Sequence, residues 1–250
     1  MINQCIETRR NVIVSAIVST YKAEAFMREC LTDLINQTVA DRLEIIIIDA
    51  ASPENEGAIA RECQDLHPNI LYIRTPHRIS IYAAWNLAIR NASAPFITPF
   101  STNDRLSRNA YEQLFSALNT NPDVMLVYGD TYLTGTPHQT FEHHDRIGAY
   151  RWPPYSYEFL VAMNCVGPHP MWRKAVHDSI GYFDERYIAL ADQEFWLRMG
   201  ERYKLLHTPV VTGLYWQSTT ALSQQRVADE EFRAIRREYA RRYLRRLNSQ

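Results

Sequence analysis

The chain has 250 residues, 46% hydrophobic and 22% charged, enough to bury one substantial core and most economically read as a single α/β domain. A net charge of -1 argues against nucleic acid as the main partner, because phosphate-backbone binding normally shows as a basic excess. No apolar run approaches the roughly 18 residues of a membrane span, the polar start MINQCIETRR is no signal peptide, and Cys5, Cys30, Cys63 and Cys165 form no C-x-x-C pair, which fits reduced thiols in a cytoplasm.

The spacing predicts a first strand over Val12 to Thr20 and an amphipathic helix over Ala23 to Gln37, with Phe26, Cys30, Leu31, Leu34 and Ile35 on one face. Leu43 to Asp49 is so uniformly apolar and β-branched that it suits a central parallel strand covered on both faces. Asp49 would then end that strand, where ligands bind in open α/β sheets. A helix to Leu66, with Pro53 early in it, leads to a strand at Ile70 to Thr75. Helical spacing resumes over Tyr82 to Arg90, Pro95 to Phe100 reads as a short strand, Ser107 caps a helix to Leu118, and Val124 to Tyr132 is another strand. Beyond Gly135 the alternation stops, and a His-, Pro- and aromatic-rich stretch to Pro154 reads as loops over a site. A helix around Tyr155 to Met163, the segment HPMWRKAVHDSIGYFD, a helix over Ala191 to Arg202 and a strand over Tyr203 to Leu214 complete the body.

The last segment, Asp229 to Leu247, is expected to be a helix with Phe232, Ile235, Tyr239, Tyr243 and Leu247 on one side and seven arginines elsewhere. Such a helix either lies on an anionic membrane or packs its stripe on the domain, its arginines solvated and partly paired with Glu230, Glu231 and Glu238.

Three motifs carry chemistry. The first strand-to-helix turn, STYKAE, has no glycine, so neither a dinucleotide fingerprint nor a P-loop is present. Thr20 and Tyr21 would instead neighbour Asp49, a ring to stack on a base and a carboxylate to accept its N–H, as in a nucleotide pocket. In ITPFSTNDRL, Asn103 and Asp104 offer the hard oxygens that Mg²⁺ or Mn²⁺ takes when it bridges a diphosphate, although N-D before a helix is also an ordinary turn. In YIALADQEFWLRMG, Asp192 opens a helix, either as a cap or as a general base.

In their order these segments resemble family 2 glycosyltransferases of the GT-A type, over about Asn11 to Ser223. VSAIVSTYKAEAFMRECLTDLINQT resembles the opening strand, Pro-Thr-Tyr-Asn turn and helix; EIIIIDAAS resembles the strand ending in Asp-Asp-Gly-Ser. ISIYAAWNLAI, STNDRL and FDERYIALADQEFWLR resemble the Gly-Ile-Tyr-Asp-Ala-x-Asn helix, the Asn-Ala-Asp-Asp-Arg-Leu metal segment and the region carrying the base. The resemblance implies a GT-A fold: a Rossmann-like nucleotide-binding half on a mixed, mostly parallel sheet flanked by helices. Residues 1–11 would be a tail, 12–223 the GT-A domain and 224–250 a basic helix.

It further implies a nucleoside-diphosphate-sugar donor, a UDP-sugar first among them, with Thr20, Tyr21, Asp49, Asn86, Asn103 and Asp104 around the nucleotide, Asn86 either touching it or holding the loop that carries the metal ligands. Asp104 with Asn103 would hold Mn²⁺ or Mg²⁺, and Asp192 would deprotonate the hydroxyl of a sugar, lipid-linked or other acceptor in polysaccharide or glycoconjugate synthesis, with inversion. His169, Trp172 and Arg173 are candidates for the acceptor side, with a packed Trp and a surface Arg as the alternative. His143, His144 and Asp145 read better as a loop than as a metal site. The location expected is cytoplasmic, with peripheral contact at the inner face of the membrane left open. Ser19 and Lys22 stand where the family has Pro and Asn, Ala50 and Ala51 replace an Asp and a Gly, and Asn103 replaces an Asp. A non-catalytic nucleotide-sugar-binding scaffold therefore stays open beside the enzyme, and a sugar nucleotidyltransferase is disfavoured by the missing Gly-rich turn.

Overall fold

A computed structural model describes residues 12–218 and 225–248; the tail expected over residues 1–11, with Cys5, lies outside them. Strands β1 (Val14–Thr20), β2 (Leu43–Asp49), β3 (Ile70–Arg74) and β4 (Phe96–Pro99) run parallel in the order β3-β2-β1-β4. Helices α1 (Glu24–Ile35), α2 (Glu56–Leu66) and α3 (Ile81–Asn91) connect them. Successive side chains of a strand point to opposite faces. Ile45 and Ile47 accordingly join the cluster containing Met27, Leu31 and Leu34 of α1, while Ile46 and Ile48 join Ala84, Ala88 and Ile89 of α3. All four isoleucines are fully buried, which is why the strand could be apolar at every position rather than at alternate ones.

Past β4 the pairing changes. β8 (Met171–Arg173) lies antiparallel between β4 and β6 (Val124–Thr134), β9 (Lys204–Trp216) runs parallel to β6, and β5 (Arg105–Leu106) closes the edge against β9. β7 (Gly148–Tyr150) pairs with the far part of β6, inside the stretch expected to be irregular. The result is a mixed, mostly parallel sheet flanked by helices. The remaining helices are α4 (Ala110–Thr120), α5 (Tyr157–Ala162), α6 (Val176–Ile180), α7 (Ala191–Gly200) and α8 (Arg226–Leu247).

One expectation changes, and one choice between alternatives is resolved. Ser107 does not cap α4: that helix begins at Ala110 after Asn109, without a side-chain cap. The stripe of α8 is turned onto the domain, where Ile235 and Tyr239 are fully buried in the same cluster as Trp196, and the Tyr239 hydroxyl donates to Glu194 at 2.7 Å. Leu247 of that expected stripe is left half-exposed. No described helix is long and apolar enough to cross a membrane.

Candidate active site

A cavity of about 550 Å³ opens beyond the carboxyl ends of β1 and β2. Its wall includes Thr20, Tyr21 and Ala50 from those strand ends, Arg78, Ser80 and Ile81 at the start of α3, Thr102 after β4 and Ile188 before α7. Ser80 caps α3 by accepting the Ala83 N–H at 3.1 Å, which fixes this part of the wall. The Arg78 guanidinium carbon lies 4.3 Å from the Tyr21 ring centre, a cation–π distance. Sequence reasoning missed Arg78, because nothing local marks an arginine that stacks on a ring far along the chain.

Asp49 is not on this wall. It is fully buried, its Oδ1 accepting the Ser52 N–H at 2.7 Å and its Oδ2 accepting the Tyr72 hydroxyl at 2.6 Å and the Arg74 guanidinium at 2.5 Å. The expected contact with a base edge is thus corrected: the carboxylate holds the β2 turn together, and Ala50 is what meets the cavity. A buried charge needs such donors, and β3 supplies two of them. Glu56 does the same from α2, accepting Ser52 Oγ–H and the Ala23 N–H, each at 2.8 Å, so that it ties the two turns beside the cavity to each other.

Asp104 is the opposite case. It is 1% exposed, and neither carboxylate oxygen has a hydrogen-bond partner. His169 Nε2, also buried and unpartnered, lies 3.6 Å from Asp104 Oδ2, and its Nδ1 is 3.4 Å from Thr212 Oγ1. His169 is therefore beside Asp104 and too buried to offer a face to an acceptor, which corrects the expected role. Asn103 lines a separate small cavity with Arg105, Gln139 and Trp216.

Three further candidate residues are occupied by contacts within the protein. Asn86 is buried and makes a two-way clamp on the loop after α6: its side chain accepts the Phe183 N–H at 3.0 Å and donates to the Phe183 carbonyl at 2.9 Å and Glu185 at 2.8 Å. It holds protein rather than nucleotide. Trp172 is 0% exposed in β8, its indole N–H donating to His177 Nε2 at 3.0 Å and its ring packed edge-on against Trp196. Burial lowers the His177 pKa to about 4, so that imidazole is a neutral acceptor. Arg173 donates to the carbonyls of Leu118, Asn121 and Val124 around the end of α4 and so is occupied away from any acceptor. Asp145 is held by Gln139 and by Thr136 at 3.0 Å, and His144 Nδ1 lies 2.8 Å from the Phe141 carbonyl, so that loop is internally bonded.

Asp192 lies in the first turn of α7, partly accessible. The Tyr82 hydroxyl is 3.0 Å from its Oδ1 and 2.7 Å from the Ala189 carbonyl. Burial raises the Asp192 pKa, opposed by the Gln193 N–H and the Tyr82 hydroxyl. Burial also pushes the Tyr82 hydroxyl well up, helped by the Asp192 charge, so it stays a neutral donor. The cavity is large enough for a nucleotide-sized ligand, with Thr102 on the chain leading to Asp104 and Ile188 on the chain leading to Asp192 in its wall.

The sequence profile of glycosyl transferase family 2 matches residues 15–180. An uncharacterized glycosyltransferase of Methanocaldococcus jannaschii is 23% identical over 187 residues, which is 74% of this chain and 64% of that protein. The chain spans less than two thirds of that relative and smaller shares of others. Among solved structures, Staphylococcus aureus TarS residues 1–349 in complex with UDP-GlcNAc superposes with a TM-score of 0.73 at 17% identity, covering 92% of this chain and 66% of that one. The mannosyltransferase PcManGT of Pyrobaculum calidifontis, in complex with GDP-Man and Mn²⁺, gives 0.67 at 15% identity, covering 96% and 71%. At these identities the likeness is one of fold.

Both turns beside the cavity carry a residue in the left-handed region, Lys22 at φ 53° and Ala51 at φ 54°. These are the positions where the resembling family has Asn and Gly, residues that tolerate this conformation. For an L residue with a Cβ the region costs about 1–2 kcal/mol. Ala51→Gly is expected to raise the unfolding free energy in urea by about 1 kcal/mol, after the larger entropy of an unfolded glycine is subtracted. A loss of stability in that variant would contradict the strain.

Proposed function

The chain belongs to glycosyl transferase family 2, and from that premise we propose that it transfers a sugar, with inversion, from a nucleoside-diphosphate-sugar to an acceptor hydroxyl in polysaccharide or glycoconjugate assembly. A UDP-sugar is the expected donor. One observation carries the reading: a cavity of about 550 Å³ at the strand ends has in its wall Thr102, which lies two residues before Asp104, and Ile188, which lies four residues before Asp192. The UDP-GlcNAc and GDP-Man held by the two structural neighbours support a nucleotide-sugar in such a cavity.

Thr20 and Tyr21 form the nucleoside side of the pocket, with Arg78 as a donor to base or phosphate oxygens. Asp192 takes the acceptor proton while the acceptor oxygen forms its bond to the anomeric carbon and the bond from that carbon to the diphosphate oxygen breaks. Tyr82 orients the Asp192 carboxylate through its hydroxyl. The unpartnered oxygens of Asp104 and Nε2 of His169 suit a divalent cation, Mn²⁺ or Mg²⁺, since buried polar atoms otherwise find partners. When bound, such a cation neutralises charge on the departing diphosphate. No group of three or more His, Cys, Asp or Glu among the described residues is arranged to hold a metal, so phosphate oxygens and water would complete its shell. The neighbour that holds Mn²⁺ supports the cation.

Donor hydrolysis in the presence of Mn²⁺ tests this reading. Asp192→Asn is expected to lower kcat by about 10²–10⁴-fold, the usual worth of a general base. The base must be ionised, so activity falls as pH drops through its raised pKa; the acid limb should lie above the ordinary aspartate value of about 3.9. Turnover within threefold of wild type in Asp192→Asn would refute the base. A non-catalytic nucleotide-sugar-binding scaffold is the second reading, favoured by Asn103 standing in the metal segment and lining a different cavity. It requires tight nucleoside diphosphate binding with no turnover by the wild-type chain.

Peripheral attachment to an anionic membrane at its cytoplasmic face is also proposed, carried by the half-exposed Leu244 and Leu247 among the arginines of the last turns of α8. Replacing both leucines by Glu should abolish co-sedimentation with phosphatidylserine-containing liposomes; unchanged binding would dismiss the idea.

A further inference from the structure

We propose that Glu231, on the C-terminal helix α8, is a positioning residue that sets the approach of Asp192 by holding the backbone of the loop in front of it. Its Oε1 accepts the N–H of Ile188 at 2.6 Å, and its Oε2 accepts those of Ala189 and Leu190, both at 2.9 Å. The inference rests on Asp192 being the base.

The need for such a residue lies in the loop that leads into α7. The N-cap position is Leu190, with φ -132° and ψ 29° and no side-chain cap hydrogen bond. The N–H groups of Ile188, Ala189 and Leu190 precede the helix, where a leucine offers no side-chain acceptor, so they require one from elsewhere. A carboxylate is the strongest that proteins have, both because its hydrogen bonds to N–H are charge-assisted and because a helix start favours negative charge. Glu231 supplies it from 41 to 43 residues further along the chain.

The rest of the loop is fixed from the opposite side. Tyr82, on α3, places its hydroxyl, with one proton to share, within hydrogen-bond reach of both the Ala189 carbonyl and Asp192 Oδ1. The peptide units of residues 188–190 are therefore held by Glu231 through their N–H groups and by Tyr82 through a carbonyl. Ile188 meets the cavity at one end of this segment, and Asp192 follows at the other. The helix bearing Glu231 is itself fixed to α7 by the buried Ile235 and Tyr239 and by the hydroxyl of Tyr239 on Glu194, which in turn pairs with Arg198 at 2.7 Å. Reading the helix as a solvated basic face would pair Glu231 with arginine. Among the described residues it forms no ion pair, unlike its neighbour Glu230, which pairs with Arg226 at 2.8 Å.

The full-length chain with Glu231→Ala, Glu231→Gln, Asp192→Asn and Glu230→Gln tests the proposal by three readouts: hydrogen exchange of residues 188–190, donor-hydrolysis kcat, and UDP affinity with Mn²⁺. Glu231→Ala should release the three amides to exchange and lower kcat at least tenfold, while UDP affinity stays within twofold, because Thr20, Tyr21 and Arg78 belong to other elements. Glu231→Gln, which keeps one acceptor oxygen and the side-chain length, should fall between it and wild type, and Glu230→Gln should match wild type. A Glu231→Ala chain with wild-type kcat overturns the proposal whatever its exchange. Parallel losses of kcat, UDP affinity and protection throughout the domain, with Glu231→Gln no better than Ala, also overturn it, since they mark a structural role alone. Asp192→Asn separates the two claims: full activity there refutes the base and the positioning with it, whereas an inactive Asp192→Asn beside a fully active Glu231→Ala refutes positioning only. A wild-type chain without turnover refutes both.

Discussion

A carboxylate drawn into the protein must be neutralised by donors or by a cation, and the site is organised by how each one meets that demand. Asp49 gathers a backbone N–H, a phenol and a guanidinium. Asp130 has His207 Nε2 at 2.8 Å. Glu231 is filled by three amides. Asp104 alone among these four has both oxygens without partners, next to an imidazole nitrogen in the same condition. The satisfied carboxylates act as fasteners of loops, whereas Asp104 leaves both oxygens unpartnered.

This division explains how a sheet with a solvent-excluded interior offers an open site at one end. Fasteners hold the turns after β1 and β2 against each other, so Thr20, Tyr21 and Ala50 form a stable wall even though Lys22 and Ala51 are in a costly conformation. On the far side, Asn86 clamps the Phe183–Glu185 stretch and Glu231 clamps residues 188–190, so the chain leading to Asp192 is tied at two successive points. The C-terminal helix is thereby part of the site's scaffolding, with its apolar stripe buried against α7 and one acid directed at the loop.

The amino-acid sequence made the parallel half of the sheet legible because burial on both faces demands an unbroken apolar run, and LEIIIID has one. It made Thr20, Tyr21, Asp104 and Asp192 visible because each follows a strand or opens a helix, where polar residues stand out. It did not reveal the partners. Asp49 looked free because Tyr72 and Arg74, which occupy it, lie on another strand, and only the register Asp49 to Arg74 brings them together. Trp172 and Arg173 looked like surface chemistry because β8, three residues long, is too short to show a period, yet it is sandwiched between β4 and β6. His169 and Glu231 were named in the sequence for the wrong neighbours: burial and long-range pairing, which no local pattern encodes, decide what each one touches.

The central claim is that Asp104 and His169 form a cation site completed by the donor's diphosphate. Titrating Mn²⁺ into the chain in the presence of UDP, with the free-ion signal followed by electron paramagnetic resonance, tests it most directly. The account predicts depletion of the free signal by about one ion per chain, consistent with a site whose remaining ligands come from phosphate, and loss of that depletion in Asp104→Ala. An undiminished free-ion signal with the wild-type chain and UDP, or the same depletion in Asp104→Ala, would contradict it.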